Sequence, residues 1–312
     1  MSAASARLSP LQAYRAAWLD LASRDPRLGA LDVGLEQLPA WPDATGTASR
    51  RRALAADPKA AVEAALELSR DRAAVFLAAP IPFLVEAAYG PVARSLVGPG
   101  LRATLVGVPS AAHGTGEAAA RDDLAAMRVL PQIAVAVPAD APTVARATAV
   151  LASRDGPGYL RLPPEGAPTV TDGSFALGRA PTLRDGNDLT LVALGTTVGP
   201  ALAVADDLGR VGIATRVLDA ASVKPFDEAA VLRAARDTGA LLVVEDGPIS
   251  TGIGTLVAAM TSENYPVPVR RLGAPETVTS GGSGSPPGAA GSLAERLRDE
   301  AFELLRLRGK AT

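Results

Sequence analysis

The chain has 312 residues, a net charge of −2 and no cysteine. The lack of cysteine excludes disulfide scaffolds, thiolate nucleophiles and cysteine-ligated metal centres, and a single histidine, His113, excludes a multi-histidine metal site within one chain. The balanced charge argues against a broad nucleic-acid surface, and the length fits about two domains.

The N-terminal part is predicted to start with an amphipathic helix over residues 10–22, with Ser9 as N-cap and Pro10 in its first turn. A charge interrupts the apolar run, which is typical of such a helix and not of a signal peptide. No segment reaches the ~18 consecutive apolar residues that cross a bilayer. We therefore expect a cytoplasmic protein without a membrane partner.

Short apolar runs then alternate with helical patterns, which is typical of a parallel α/β sheet. In the first part, further helices are predicted over 58–69, 82–96, 118–127 and 142–153, and strands over 28–33, 73–79, 102–108, 133–137 and 158–162. Residues 41–52 are predicted to form a loop, and residues 110–116 a Gly-rich loop. Asp57 is the predicted N-cap of the second helix.

The second part repeats this alternation. Strands are predicted over 189–194, 213–218, 240–245 and 267–272, and helices over 195–208, 227–235, 252–260 and 292–307, the last preceded by a flexible Gly/Ser/Pro tract at 280–291. Residues 163–186 are rich in Pro, Gly and Thr. The predicted architecture is thus α/β, with mostly parallel sheets flanked by helices in two domains, 1–163 and 188–312, joined by a linker at 164–187.

Two stretches carry a family resemblance. Residues 127–163 contain MR-LP-VPAD-DGP-Y-R-L, and residues 188–246 contain a glycine at a strand end followed by S-KP-D. Together they resemble the C-terminal half of transketolase and of deoxyxylulose-phosphate synthase. The resemblance implies a pyrimidine-binding-like domain followed by a transketolase C-terminal-like domain.

This resemblance also implies a cofactor and a partner. Family members bind thiamine diphosphate and Mg²⁺ between a phosphate-binding domain and a pyrimidine-binding domain, and the cofactor supplies the carbanion chemistry. The chain has no G-D-G…N motif for the diphosphate and Mg²⁺. It therefore resembles the smaller subunit of a split transketolase, with Mg²⁺ bound by a separate N-terminal-half subunit, in a dimer or heterotetramer.

The family's catalytic glutamate, which contacts the pyrimidine ring, does not align with a carboxylate. Counting back from the segment Ala79–Phe83 places that position on Pro58. A gap in the alignment would bring Glu63 there, so Glu63 is a candidate catalytic residue. Its alternative reading is a solvated carboxylate on a helix.

Two other candidates lie near the same predicted site. Phe83 matches the second of two family phenylalanines that pack against the aminopyrimidine, whereas the first is Pro80; simple core packing is the alternative for Phe83. His113, in the Gly-rich loop, is a candidate for proton transfer or substrate binding. The family histidine aligns instead with Ala118, so a solvated loop histidine is the alternative.

The second domain offers weaker signals. Two groups of residues, Gly252 with Gly254 and Gly195 with Thr196 and Thr197, follow strands and could hold an anion at a helix N-terminus. Ordinary tight turns are the alternative. The dipeptide at Lys224 and Pro225 is predicted to be structural, with Asp227 capping the next helix.

Three functions follow from these observations. The first is the C-terminal subunit of a split transketolase-like enzyme that transfers a two-carbon ketol or related unit. The second is a catalytically dead structural or regulatory pseudo-subunit of such a complex. The third is a small-molecule binding protein that reuses the fold, since fold alone does not settle function.

Overall fold

A computed structural model describes residues 8–39, 41, 46–69, 74–109, 123–274 and 292–311. It divides the chain into two compact units. The first comprises Met1–Ser110, Leu130–Ala134 and Asp140–Phe175, and the second comprises Ala111–Val129, Val135–Ala139 and Ala176–Thr312. The main division, after Phe175, falls inside the predicted linker, and the predicted domain bounds themselves stay a prediction.

The first unit is built on parallel strands in the order β2–β1–β3–β4–β6. These are β1 (Gly29–Val33), β2 (Arg51–Leu54), β3 (Val75–Pro80), β4 (Ala103–Val108) and β6 (Gly158–Arg161). Every residue of β3 and β4 is buried. Such continuous apolar runs are expected for strands that are covered on both faces of a parallel sheet.

The helices of the first unit are α1 (Pro10–Arg24), α2 (Pro58–Ser69), α3 (Tyr89–Val92) and α5 (Ala141–Ser153). Two π-helical segments, Phe83–Ala87 and Ala93–Val97, flank α3. The prediction of one regular α-helix over 82–96 is therefore wrong, because the segment contains two π-helical stretches. Pro91 has no N–H to donate to the carbonyl of the preceding turn, which accounts for part of the departure from α-helical bonding.

Two predicted helix starts in this unit, at Pro10 and Pro58, are confirmed. The Ser9 hydroxyl accepts a hydrogen bond from the Gln12 backbone N–H, and the Gln12 side chain accepts one from the Ser9 N–H. The Asp57 carboxylate accepts from the Ala60 N–H at 2.7 Å. Pro10 and Pro58 each fill the first helical position, where a missing N–H costs nothing.

The second unit contains a five-stranded sheet in the order β12–β11–β8–β9–β7, parallel except for the β7–β9 pair. Its strands are β7 (Thr182–Arg184), β8 (Leu189–Ala193), β9 (Thr215–Asp219), β11 (Leu241–Pro248) and β12 (Val269–Ala274). An antiparallel pair joins β10 (Ser222–Lys224) to residues 135–136 of β5 (Ala134–Ala136).

The second unit's helices are α4 (Asp123–Val129), α6 (Val198–Arg210), α7 (Glu228–Thr238), α8 (Ile253–Asn264) and α9 (Leu293–Ala311). A short 3₁₀ turn, Gly195–Thr197, precedes α6. Asp227 caps α7 through the Ala230 N–H, as predicted, and the Lys224–Pro225 peptide bond before it is cis. Within the part of the chain that the structure describes, no helix has the length and apolar character to cross a membrane.

Three short strands are absent from the sequence-based prediction. Residues 51–54 form β2, so the loop predicted over 41–52 is wrong at its end, and β7 lies within the predicted linker. Both are edge strands, and β10 pairs only with β5. None shows a long apolar run, because an edge strand does not need to be buried on both faces.

Candidate functional site

The carboxyl edge of the first unit's sheet is where the predicted cofactor residues lie. Three chain segments converge there: Gly34 follows β1, Ala56 precedes α2, and Pro80 ends β3. A Cβ placed on Gly34 would lie 3.0 Å from the Ala56 Cβ and 3.8 Å from the Pro80 Cδ. Gly34 has φ +64°, a conformation that favours glycine. The edge is therefore closely packed around these small side chains.

Pro58 begins α2 at this edge and is half-buried. Asp57 precedes it, and its carboxylate is occupied as the N-cap of the helix. The buried face of α2 consists of small apolar residues that pack towards β1 and β3, namely Ala61, Val62, Ala64 and Ala65. The position that the resemblance assigns to a glutamate is therefore held by a side chain without a carboxylate.

Glu63 lies on the opposite, outer face of α2. Its side chain is 65% exposed, and its Oε1 lies 3.9 Å from the Lys59 Nζ. One turn further on, Glu67 pairs with Arg52 at 2.7 Å. Such exposed pairs contribute little to stability. The structure thus places Glu63 in a solvated row of charges, and its catalytic role stays a prediction.

Phe83 lies directly after β3 and is 8% exposed. Pro80 and Leu84 beside it are also buried. Packing in the core therefore accounts for most of the Phe83 surface, and a small part of the ring remains accessible. His113 and the loop 110–116 lie outside the described residues.

One buried polar cluster in the first unit is missing from the sequence-based prediction. The Arg15 Nη2 lies 2.6 Å from the Asp32 Oδ2, and the Trp41 indole N–H donates to the same oxygen at 2.8 Å. The Arg15 guanidinium also lies 5.1 Å from the Trp41 ring centre. The spacing of these residues along the chain does not predict the cluster, because α1, β1 and the Trp41 segment come together only in the folded unit.

In the second unit, the turn after β8 is held by threonine hydroxyls. The Thr197 hydroxyl accepts from the Leu194 N–H and lies 2.9 Å from the carbonyl oxygens of Leu194 and Val244. The Thr196 hydroxyl donates to the Asp246 carboxylate at 3.2 Å. These groups form hydrogen bonds with one another. The turn after Gly195 is therefore a tight turn, which is one of the two predicted alternatives.

The start of α8 is occupied by a carboxylate from the same unit. Glu245, 3% exposed, accepts hydrogen bonds from the backbone N–H groups of Ile253 at 2.7 Å and Gly254 at 3.1 Å. A Cβ on Gly252 would lie 1.7 Å from the Glu245 Oε2. The glycines that suggest an anion cradle therefore make room for the chain's own glutamate.

Burial raises the pKa of Glu245 to about 7. The two backbone N–H groups and Arg128 act in the opposite direction, whereas the neighbouring Asp246 adds to the rise. Desolvation of the charged form is the largest effect and exceeds the stabilisation from two hydrogen bonds. The charge of the Glu245 carboxyl group therefore changes near neutral pH.

Arg128 docks on the same turn. Its guanidinium donates to the carbonyl oxygens of Thr251 at 2.8 Å and Gly252 at 3.0 Å, and its own carbonyl accepts from the Lys224 Nζ at 2.9 Å. Burial lowers the pKa of Lys224, and the nearby Arg128 lowers it further. These contacts join α4, β10 and the start of α8 within the second unit.

The comparisons with known proteins agree with this fold. The family described as "Transketolase, C-terminal domain" matches residues 178–286. The predicted resemblance is thereby confirmed for the C-terminal domain, and the matched range includes the turn of Lys224 and the Glu245 cap.

Two curated relatives are transketolase subunits. The 6-deoxy-6-sulfo-D-fructose transketolase subunit SqwH of Clostridium sp. (strain MSTE9) is 37% identical over 193 residues, 61% of this chain and 58% of that protein. An apulose-4-phosphate transketolase subunit of Phocaeicola vulgatus is 39% identical over 165 residues, 52% of this chain and 53% of that protein. The chain thus spans little more than half the length of these transketolase relatives.

Solved structures extend the likeness over nearly the whole chain. A chain described as "Split gene transketolase, inactive beta4 tetramer" is 29% identical with a TM-score of 0.86, and the match covers 97% of this chain and 99% of that one. A transketolase of Pichia stipitis, 17% identical, shares the fold with a TM-score of 0.73 over 48% of its own chain. The predicted α/β fold class is confirmed.

The thiamine diphosphate implied by the transketolase resemblance fits the carboxyl edge of the first unit's sheet only in part. Phe83 could pack against an aromatic ring, but α2 presents Pro58 where a ring carboxylate is expected and turns Glu63 outwards. Among the described side chains, no three His, Cys, Asp or Glu residues lie together as a metal site would require. The residues of α2 therefore do not fit the acid–base part of the cofactor site.

Proposed function

We propose that this chain is the C-terminal subunit of a split, thiamine-diphosphate-dependent transketolase-like enzyme. It would transfer a two-carbon ketol or related unit together with a separate N-terminal-half subunit that holds the diphosphate and Mg²⁺. The observation that carries the proposal is the likeness to the split-gene transketolase chain, which extends over both units of the fold. The two transketolase subunit relatives support it.

Assembly and cofactor binding test this proposal directly. The chain would be co-expressed with an N-terminal-half transketolase subunit of the same organism, and the complex would be sized by light scattering. Calorimetry with thiamine diphosphate and Mg²⁺ should show binding by the complex and much weaker binding by the chain alone. Absence of association, or equal binding by the chain alone, would contradict the proposal.

Substrates of the complex would be sought among anionic sugars. The names of the two relatives contain a sulfonated and a phosphorylated ketose. A panel of sugar phosphates and sulfo-sugars, with aldose acceptors, should therefore reveal ketol transfer. Turnover by the complex but not by either subunit is the expected result.

A second candidate is a structural pseudo-subunit, which Pro58 favours. In that case the chain associates with its partner but contributes no working site of its own. Phe83→Ala would separate the two candidates, provided that light scattering shows unchanged assembly. Loss of turnover supports a working pocket in this chain, whereas full turnover supports the structural role.

A further inference from the structure

Helix α2 starts at the point where the proposed function requires a carboxylate for the cofactor's pyrimidine ring. We infer that α2 supplies no such carboxylate in this chain, and that residue 58 is the position of α2 from which it is missing. This inference rests on the proposed function. It predicts that a glutamate at residue 58 would restore the carboxylate to α2.

Glu63 is in the wrong place to substitute for residue 58. An α-helix turns ~100° and rises ~1.5 Å per residue, so five residues move a side chain about 140° around the axis and about 7.5 Å along it. The observed exposure of Glu63 agrees with this geometry, because its side chain reaches solvent beside Lys59. A glutamate on this outer face cannot serve the inner end of the same helix.

Asp57 has another task. Its Oδ1 accepts the Ala60 N–H at 2.7 Å and thereby caps α2. The backbone N–H groups of a helix's first turn lack partners within the helix, so moving this carboxylate away would leave one of them unsatisfied. The two carboxylates closest to residue 58 along α2 are therefore both committed to positions outside the proposed ring contact.

The surroundings of Pro58 are otherwise well formed. The inner face of α2 is packed, Gly34 and Ala56 are in close contact, and Phe83 is buried at the start of the next helical segment. A glutamate at residue 58 would keep the Asp57 cap and would add a negative charge to the first helical turn, where the helix dipole favours it. Pro58→Glu is thus compatible with the observed fold.

The test compares four forms of the chain, each assembled with the N-terminal-half subunit: wild type, Glu63→Gln, Pro58→Glu and Pro58→Gln. Pro58→Gln is the matched control, since it has the same length without the charge. The readout is the rate of hydrogen–deuterium exchange at C2 of bound thiamine diphosphate, measured by NMR after quenching. Calorimetry gives the affinity for the cofactor, and thermal melts check that each variant is folded.

We expect Glu63→Gln to exchange within about twofold of wild type, and Pro58→Glu to exchange at least ~10-fold faster than Pro58→Gln. A tenfold loss in Glu63→Gln would overturn the inference, because Glu63 would then be the acid. Equal rates for Pro58→Glu and Pro58→Gln would also overturn it, as would a complex in which no form binds the cofactor. If Pro58→Glu does not fold, the Glu63→Gln result still decides whether α2 supplies the carboxylate.

Failure of the subunits to associate is a separate outcome, seen by light scattering alone, and it contradicts the proposed function. Calorimetry of the isolated Pro58→Glu and Pro58→Gln chains would then decide the inference. An affinity for thiamine diphosphate at least ~10-fold tighter in Pro58→Glu supports it. Equal affinities overturn it.

Discussion

Two buried carboxylates hold helix starts in the two units, and their pKa values are shifted in opposite directions. Asp140 of the first unit caps α5 through the Thr143 N–H and also accepts from the backbone N–H groups of Val170 and Thr171 and from the Thr171 hydroxyl. Glu245 of the second unit accepts from two backbone N–H groups at the start of α8.

The difference shows how the balance between burial and hydrogen bonding sets the pKa of a buried acid. Burial acts to raise the pKa of Asp140, but the hydrogen bonds from Val170, Thr143 and Thr171 outweigh it and hold that pKa below its usual range. For Glu245 the same effect of burial outweighs two hydrogen bonds and raises the pKa to about 7. The donors around Asp140 thus outweigh its burial, whereas the two backbone donors to Glu245 do not.

Gly252→Ala should give the largest effect, because it removes the space that Glu245 occupies. The new Cβ would lie 1.7 Å from the buried Glu245 Oε2. That oxygen cannot move away without losing its hydrogen bond from the Ile253 N–H. We expect a loss of about 3 kcal/mol or more in the free energy of unfolding, measured by urea denaturation. Gly209→Ala is the control, since this glycine is exposed and its Cβ would meet only the end of the flexible Arg184 side chain.

A double-mutant cycle sharpens this test. In a Glu245→Ala background the clash is gone, so Gly252→Ala should cost far less than in the wild type. An equal cost in both backgrounds would show that the glycine is needed for another reason.

Asp140→Ala should cost about 3 kcal/mol at neutral pH, because several buried and half-buried donors lose a charged acceptor at once. Since the folded pKa is lowered, this stabilisation is present above the unfolded pKa of about 4 and is lost as the pH falls through the folded pKa. Urea denaturation at neutral and at acidic pH measures it. Asp172→Ala, an exposed loop carboxylate, is the control and should change stability much less than Asp140→Ala.

Glu245→Gln should show the opposite pH dependence. The folded pKa is raised from 4.5 to about 7, so the protonated form stabilises the fold at low pH and this contribution is lost as the pH rises through 7. The stability of Glu245→Gln relative to wild type should therefore improve by about 2 to 3 kcal/mol between about pH 5 and pH 8. A difference that does not change with pH would contradict the raised pKa.

The control for this pH profile is Glu263→Gln on the same helix. Glu263 is exposed, so its substitution should give a small difference that stays constant over the same pH range. A slope in both variants would indicate a source other than Glu245.

The smallest effect concerns an exposed cap of the first unit. Asp57→Ala removes the acceptor of the Ala60 N–H and should cost about 1 kcal/mol. Glu63→Ala on the same helix should change stability by less than about 0.5 kcal/mol, since its ion pair with Lys59 is solvated. If thermal melts show equal losses of stability for Asp57→Ala and Glu63→Ala, the cap contributes no more than a surface carboxylate.

The helix starts are the most predictable features. The sequence predicts Ser9, Asp57 and Asp227 as caps, and each caps its helix in the structure. The reason is that a cap interacts only with residues two or three positions further along the chain, so its signal is local.

Edge strands and buried ion pairs are less predictable. β2 and β7 lack apolar runs because each is an edge strand, and the Arg15–Asp32 contact joins residues from different elements. The sequence suggests a candidate site at Pro58 and Phe83, and that site stays a prediction. The outward direction of Glu63 is evident only from the burial of α2.

The sequence by itself determined the alternation of strands and helices, the fold class and the transketolase resemblance, because these depend on periodicity and on motifs that are continuous along the chain. The tertiary structure decided which carboxylates are buried and what they contact. Glu63 and Glu245 are both glutamates next to apolar residues, yet the fold places one in solvent beside Lys59 and the other against a helix start. Burial and hydrogen-bond partners arise from segments distant in sequence, and these set the charge and the chemistry of each group.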